Sequence, residues 1–133
     1  MKLQFVKYEK IENVARITLS RPERANALNA DMLDEIGQAV SAAESDAEVR
    51  ALVLTGDGKA FSSGFDLKDQ MERRPTGISD WRPILQKDFD AVVRFWHCPK
   101  PTIASVRGAC LAGAFEMSLA CDMTLASDTA FFG

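Results

Sequence analysis

Apolar and polar positions alternate at the start of the chain, at Leu3 and Phe5 and then Val6 and Tyr8, which predicts a half-buried strand over Leu3–Tyr8. Glu12–Asn13 is a turn signal, and Val14–Leu19 reads as a second strand. Arg21–Pro22 breaks the extended run. The period then lengthens: Met32, Leu33, Ile36, Val40 and Ala43 share one face of a helix over ADMLDEIGQAVSAAES, with Asn29 as its N-cap. Val49–Gly56 is short, continuous and closed by glycine, as a buried strand is. Asp69–Asp80 has the composition of a mobile loop. Helical spacing returns at Leu85, Phe89, Val92 and Trp96 and predicts a helix over Ile84–Trp96, which the prolines of CPKPT stop. Thr102–Val106 is a further apolar strand, followed by RGACLAG and an apolar helix from about Gly113 to Cys121. Units of strand, loop and helix in this order predict an α/β domain with crossover connections. The closing stretch, MTLASDTAFFG, would leave strand material and Phe-Phe-Gly uncovered, which predicts that the chain is a piece of a longer one.

Composition narrows the classes. The 133 residues suit one domain, and 47% hydrophobic with 26% charged residues is an ordinary folded balance. A net charge of -3 gives no basic field to favour nucleic acid, and the cationic cluster ERRP, Glu72–Pro75, reads as a solvated loop. No apolar run approaches the roughly 20 residues of a membrane-spanning helix, and the alternating start is unlike a signal peptide. Cys98, Cys110 and Cys121 are odd in number and without metal-ligand spacing, and read as reduced, mostly buried thiols of a cytoplasmic protein.

The stretch LVLTGDGKAFSSGFDLKD, Leu52–Asp69, is where chemistry is to be sought. A phosphate loop fails, because Gly58-Lys59 is followed by Ala60 and Val53 stands where its first glycine belongs. A dinucleotide fingerprint fails, because the third glycine after Gly56 and Gly58 falls on Phe61. A serine nucleophile elbow fails, because Ala60 and Phe61 precede Ser62 and Ser63. The single histidine, His97 in RFWHCP, reads as structural, with no acid partner identifiable for a triad. Backbone donation survives. Gly64 lets the chain bend and bring the Phe65 amide to a ligand, and Gly113, near a helix start, offers a second donor that would favour developing negative charge.

PERANALNADML, AFSSGFDLKD and PTIASVRGACLAGAFEMSLACDM resemble, in this order, three segments of the enoyl-CoA hydratase/isomerase (crotonase) superfamily. The resemblance covers essentially the whole chain, and family members continue past Gly133. It implies an α/β fold, a crotonase-like ββα superhelical core over residues 1–133 without the family's C-terminal helical part. The family assembles as a homotrimer or a dimer of trimers. Its shared chemistry is stabilisation of an acyl-CoA thioester enolate by two backbone amides, carried here onto Phe65 and Gly113. Glu116 matches the first of two glutamates with which family hydratases hold water and move protons; the second normally follows an FG like Phe132–Gly133 by a few residues. Glu116 lies three residues after Gly113, toward the same helix face. Its neighbours Ala114, Phe115, Met117, Leu119 and Ala120 are mainly apolar, a setting that tunes a carboxylate for acid/base work.

Arg24 and Ala25 of RANAL, and Gly64, Asp66, Leu67 and Lys68, match segments that border the CoA moiety. Arg24 and Lys68 are either phosphate contacts or ordinary surface cations, and Asp66 either lies near the nucleotide or braces the loop through backbone amides. Two departures stand out. The family's frequent Gly-Gly-Gly turn reads Ala112-Gly113-Ala114 here, so added methyls narrow the approach of the thioester, and Phe65 replaces a residue that is small in many hydratases. The resemblance therefore implies an enoyl-CoA hydratase, a lyase of fatty acid metabolism. It needs no metal and no cofactor beyond the coenzyme A of its substrate, and no nucleic-acid or membrane partner. An isomerase, hydrolase or decarboxylase using the same enolate site is the alternative, as is an inactive binding or assembly fragment. The acidic balance and the lack of a lysine-rich helix argue against the RNA-binding role of one family branch.

Overall fold

In a computed structural model that describes every residue from Met1 to Gly133, β1 (Val6–Ile11) and β2 (Val14–Leu19) form an antiparallel hairpin. Its turn is Glu12–Asn13, with Glu12 in the left-handed region at φ 52°. The chain crosses through α1 (Ala30–Ser45) to β3 (Ala51–Gly56), parallel to β2. It crosses again through α2 (Leu67–Glu72) and α3 (Gly77–Trp96) to β4 (Thr102–Val106), parallel to β3. After β5 (Ala109–Cys110), α4 (Gly113–Ala120) leads to β6 (Met123–Ala126), which closes a five-stranded sheet of order β1-β2-β3-β4-β6. β5 pairs separately with β7 (Phe131–Phe132).

Alternation along the strands sets the core. Ala15, Ile17 and Leu19 of β2, Leu52 and Leu54 of β3, and Ala104 and Val106 of β4 are buried on one face. Met32, Ile36, Ala39, Val40 and Ala43 of α1 are buried in the same core. A slip of one residue in any of these strands would turn its apolar set to water, so the register is strongly held. Asn29 caps α1 by accepting from the Met32 amide at 2.9 Å.

Three expectations need correction. β1 begins at Val6, not Leu3, because the amides of Gln4 and Phe5 donate to the Glu35 carboxylate of α1 at 2.9 and 2.7 Å, with Val6 a third donor at 2.9 Å. The stretch Asp69–Asp80 is largely helical: Asp66 caps α2, and Asp80 accepts from the Thr76 amide and hydroxyl at 2.9 and 3.0 Å to start α3 about two turns early. The inward face of α3 is also rotated, since Asp88, Val92 and Phe95 are buried while Leu85, Phe89 and Trp96 are exposed. β6 is a sheet edge with all four residues exposed. All three cysteines are free thiols, and burial pushes Cys121 up to about 12. No helix is long and apolar enough to cross a membrane.

The Glu35 contact has a measurable consequence. Glu35→Leu leaves three amides without their acceptor, and urea unfolding should show a loss of about 3 kcal/mol with an unchanged m-value.

Candidate functional site

The loop between β3 and α2 doubles back on itself at Gly56, where a β-carbon would lie 2.3 Å from the Phe61 carbonyl oxygen. Asn26, fully buried, holds it. Its Nδ2 donates to the carbonyls of Asp57, Ala60 and Phe61 at 2.8, 2.9 and 3.2 Å, while its Oδ1 accepts from the Arg21 amide at 2.8 Å. The left-handed backbone of Asn26, φ 52°, is one that asparagine tolerates better than most residues. Ser62 continues the network, donating its hydroxyl to the Asn26 carbonyl at 2.7 Å and accepting from the Gly64 amide at 3.1 Å.

Through the turn, every amide but one is used. Ser62 donates to the Ala109 carbonyl, Ser63 to Ala25, Gly64 to the Ser62 hydroxyl, and Asp66 to Leu28. The Phe65 amide has no partner in the chain. Across from it, at the start of α4, Ala112 donates to the Gly133 carbonyl and Ala114 to Leu111, while the Gly113 amide between them is also unpartnered. These two free donors belong to segments in close contact: a β-carbon on Gly64 would stand 2.8 Å from the Leu111 carbonyl oxygen and 3.4 Å from the Gly113 nitrogen. A β-carbon on Gly113 would stand 2.2 Å from Cε2 of the Phe65 ring. Gly64 is therefore required by space and by its φ of +97°, while the absent side chain of Gly113 makes room for the Phe65 ring.

A cleft of about 380 Å³ opens beside Phe65, lined by Leu67, Gln70, Leu85, Asp88, Phe89 and Glu116 as well. Glu116 is exposed here, which corrects the expectation of a carboxylate enclosed by its apolar neighbours. Of those neighbours, Ala114 and Met117 turn into the core, and Leu119 faces solvent. Gly113, by contrast, is buried under the Phe65 ring.

The remaining expected residues form a second group. Asp66 is 7% exposed; its carboxylate caps α2 through the Asp69 amide and pairs with Arg21 at 3.1 Å. Burial pushes its carboxyl up, but the Asp69 amide and the Arg21 guanidinium outweigh it and hold it below the usual carboxylate range. Arg24 and Ala25 are exposed at the end of a 3-10 turn, Ala25 in the left-handed region. Leu67 is 71% exposed, and Lys68 is exposed beside Glu72 at 3.9 Å. The Arg21 guanidinium also lies over the Phe5 ring, 5.4 Å from its centroid. Asn26, Gln70 and Asp88 were not singled out in the sequence, while Arg21 stood out only as a strand break and Ser62 only as a rejected nucleophile. The one available signal was for Asp88, which precedes the buried Val92 by one helical turn.

The chain matches the enoyl-CoA hydratase/isomerase family over residues 9–133. It belongs to that family. Among solved structures, an enoyl-CoA hydratase/isomerase from Xanthobacter autotrophicus Py2 superposes with a TM-score of 0.97 at 64% identity, over 99% of this chain and 49% of that one. The enoyl-CoA hydratase of Bacillus anthracis gives a TM-score of 0.88 at 30% identity, over 98% and 50%. A Rhodobacter capsulatus protein named "probable enoyl-CoA hydratase" is 38% identical over 133 residues, 99% of this chain and 49% of its own length. The chain thus has the crotonase fold and spans about half the length of these relatives.

Two outcomes test the loop geometry. Ala112 sits at φ 48°, ψ -124°, a conformation suited to glycine, so Ala112→Gly should raise stability by about 1 kcal/mol in thermal or urea unfolding. For Asp66, a folded-state pKa below the unfolded value means stability that is present above the ordinary carboxylate range and lost as pH falls through the folded pKa. The melting temperature of the wild type should exceed that of Asp66→Asn at neutral pH, with the gap shrinking below about pH 4.

Proposed function

We propose that this family member is an acyl-CoA enzyme and works as an enoyl-CoA hydratase. The observation that supports this most directly is the pair of unpartnered amides, Phe65 and Gly113, in contacting segments beside a cleft that a carboxylate lines. In this reading both amides donate to the thioester oxygen of a trans-2-enoyl-CoA. Water adds its oxygen to the β-carbon while Glu116 takes the proton from that water, and the electron pair of the double bond moves toward the thioester oxygen as an enolate. The amides carry that charge without any side chain, and removing one such donor costs roughly 3 kcal/mol of transition-state stabilisation. The enolate then takes a proton at the α-carbon from a second acid, which the family pattern puts after Phe132–Gly133.

The acyl chain lies along the cleft of Phe65, Leu67, Leu85 and Phe89, whose apolar walls suit it. The exposed positions of Arg24 and Lys68, the latter only loosely paired with Glu72, suit them to meet phosphate groups of coenzyme A, which arrives as part of the substrate. Asp66 serves the site indirectly, by capping α2 and fixing Arg21. Assembly as a trimer, or a dimer of trimers, and a cytoplasmic location belong to the same reading.

Loss of the enoyl chromophore on hydration measures the reaction. Glu116→Gln should lower kcat by about 100-fold or more and leave the affinity for a saturated acyl-CoA nearly unchanged. Equal loss of turnover and affinity would remove Glu116 from proton transfer. A product with a shifted double bond and no added water would make the enzyme an isomerase using the same amides.

A further inference from the structure

Three carboxylates, Glu35, Asp66 and Asp88, are at least nine-tenths buried with identifiable partners, and Asp88 is the one left incomplete. Glu35 accepts three backbone amides, and Asp66 accepts the Asp69 amide and the Arg21 guanidinium. Asp88, 7% exposed, receives one bond, from Gln70 Nε2 to Oδ2 at 2.7 Å, and its Oδ1 has no donor in the chain. No fully enclosed side-chain polar atom lacks a partner, so this oxygen reaches open space, and the space that Asp88 borders is the cleft. The nearby cations are engaged elsewhere: Arg73 of α2 pairs with Asp69, and Lys87 of α3 pairs with Asp34. Glu116, from α4, is the other carboxylate on the cleft. Burial raises the Asp88 carboxyl above its ordinary range, with the Gln70 bond offsetting part of that effect.

A hydrocarbon chain laid along this cleft would strip water from Oδ1 and return no hydrogen bond. A hydroxyl at the same place would replace the water. We propose that Asp88 is a specificity residue, selecting acyl groups that carry a hydrogen-bond donor such as a hydroxyl on the outer part of the chain over plain hydrocarbon chains of equal length. This rests on the acyl-CoA reading above. Gln70, which also lines the cleft, occupies Oδ2 and leaves Oδ1 as the acceptor for the ligand.

Titration calorimetry with hexanoyl-CoA, its ω-hydroxy counterpart and free coenzyme A tests the assignment, because both saturated esters bind without being hydrated. The wild type should favour the hydroxy ester by roughly tenfold. Asp88→Asn leaves a single oxygen to serve both Gln70 and the ligand and should weaken the preference. Asp88→Leu should abolish or invert it, with Asp88→Ala as the replacement should the leucine variant fail to give the wild-type circular dichroism. If both esters bind better than coenzyme A but equally in the wild type, selection by Asp88 is wrong and the acyl-CoA reading stands. If neither ester binds better than coenzyme A, the acyl-CoA reading fails and this assignment fails with it.

Discussion

Two backbone segments, some fifty residues apart in the chain, approach each other at Gly64 and Gly113 so closely that no side chain fits between them. The rest of the site depends on that approach. It puts the Phe65 ring on the bare face of Gly113, sets the start of α4, and leaves two amides without partners where a buried donor would ordinarily find one. A β-carbon at Gly64 would meet the Leu111 carbonyl and push the segments apart, and one at Gly113 would displace the Phe65 ring.

A polar network enforces the approach from behind. Asn26 gathers three loop carbonyls, Ser62 links Asn26 to the Gly64 amide, and the Leu28 and Ala109 carbonyls take the amides on either side of the turn. Such networks are costly if half satisfied and rigid if complete, and this one is complete except at the amide that matters. Ala112, held in a conformation that suits glycine, shows that the surrounding contacts outweigh local strain of about 1–3 kcal/mol. That strain sits one residue from the Gly113 donor.

Much of the fold was legible because its strands and α1 carry their burial in their periodicity. β2, β4 and α1 lie where alternation and the Asn29 cap put them. The readings that failed did so where a side chain from elsewhere, or a cap, competed with local pattern. Glu35 takes the amides that would have begun β1 at Leu3. Asp66 and Asp80 start helices inside a stretch whose composition suggests a loop. In α3 the exposed Leu85, Phe89 and Trp96 form a more apolar stripe than the buried Asp88, Val92 and Phe95, so hydrophobicity alone pointed the helix the wrong way.

By itself the sequence determined the order of the main strands and of α1, α3 and α4, the family, and the two glycine-bearing segments, since each is written in local spacing or in short contiguous motifs. Only the tertiary structure decided that the Phe65 and Gly113 amides are unpartnered. Whether an amide is free depends on every acceptor the fold brings near it, and those come from Ala25, Leu28 and Ala109 in distant parts of the chain. The same holds for the carboxylates. Glu35, Asp66 and Asp88 all read as carboxylates in the sequence, yet one is saturated by backbone amides, one by a cap and an arginine, and one is left with an oxygen toward the cleft. That difference is one of surroundings, and surroundings exist only after folding.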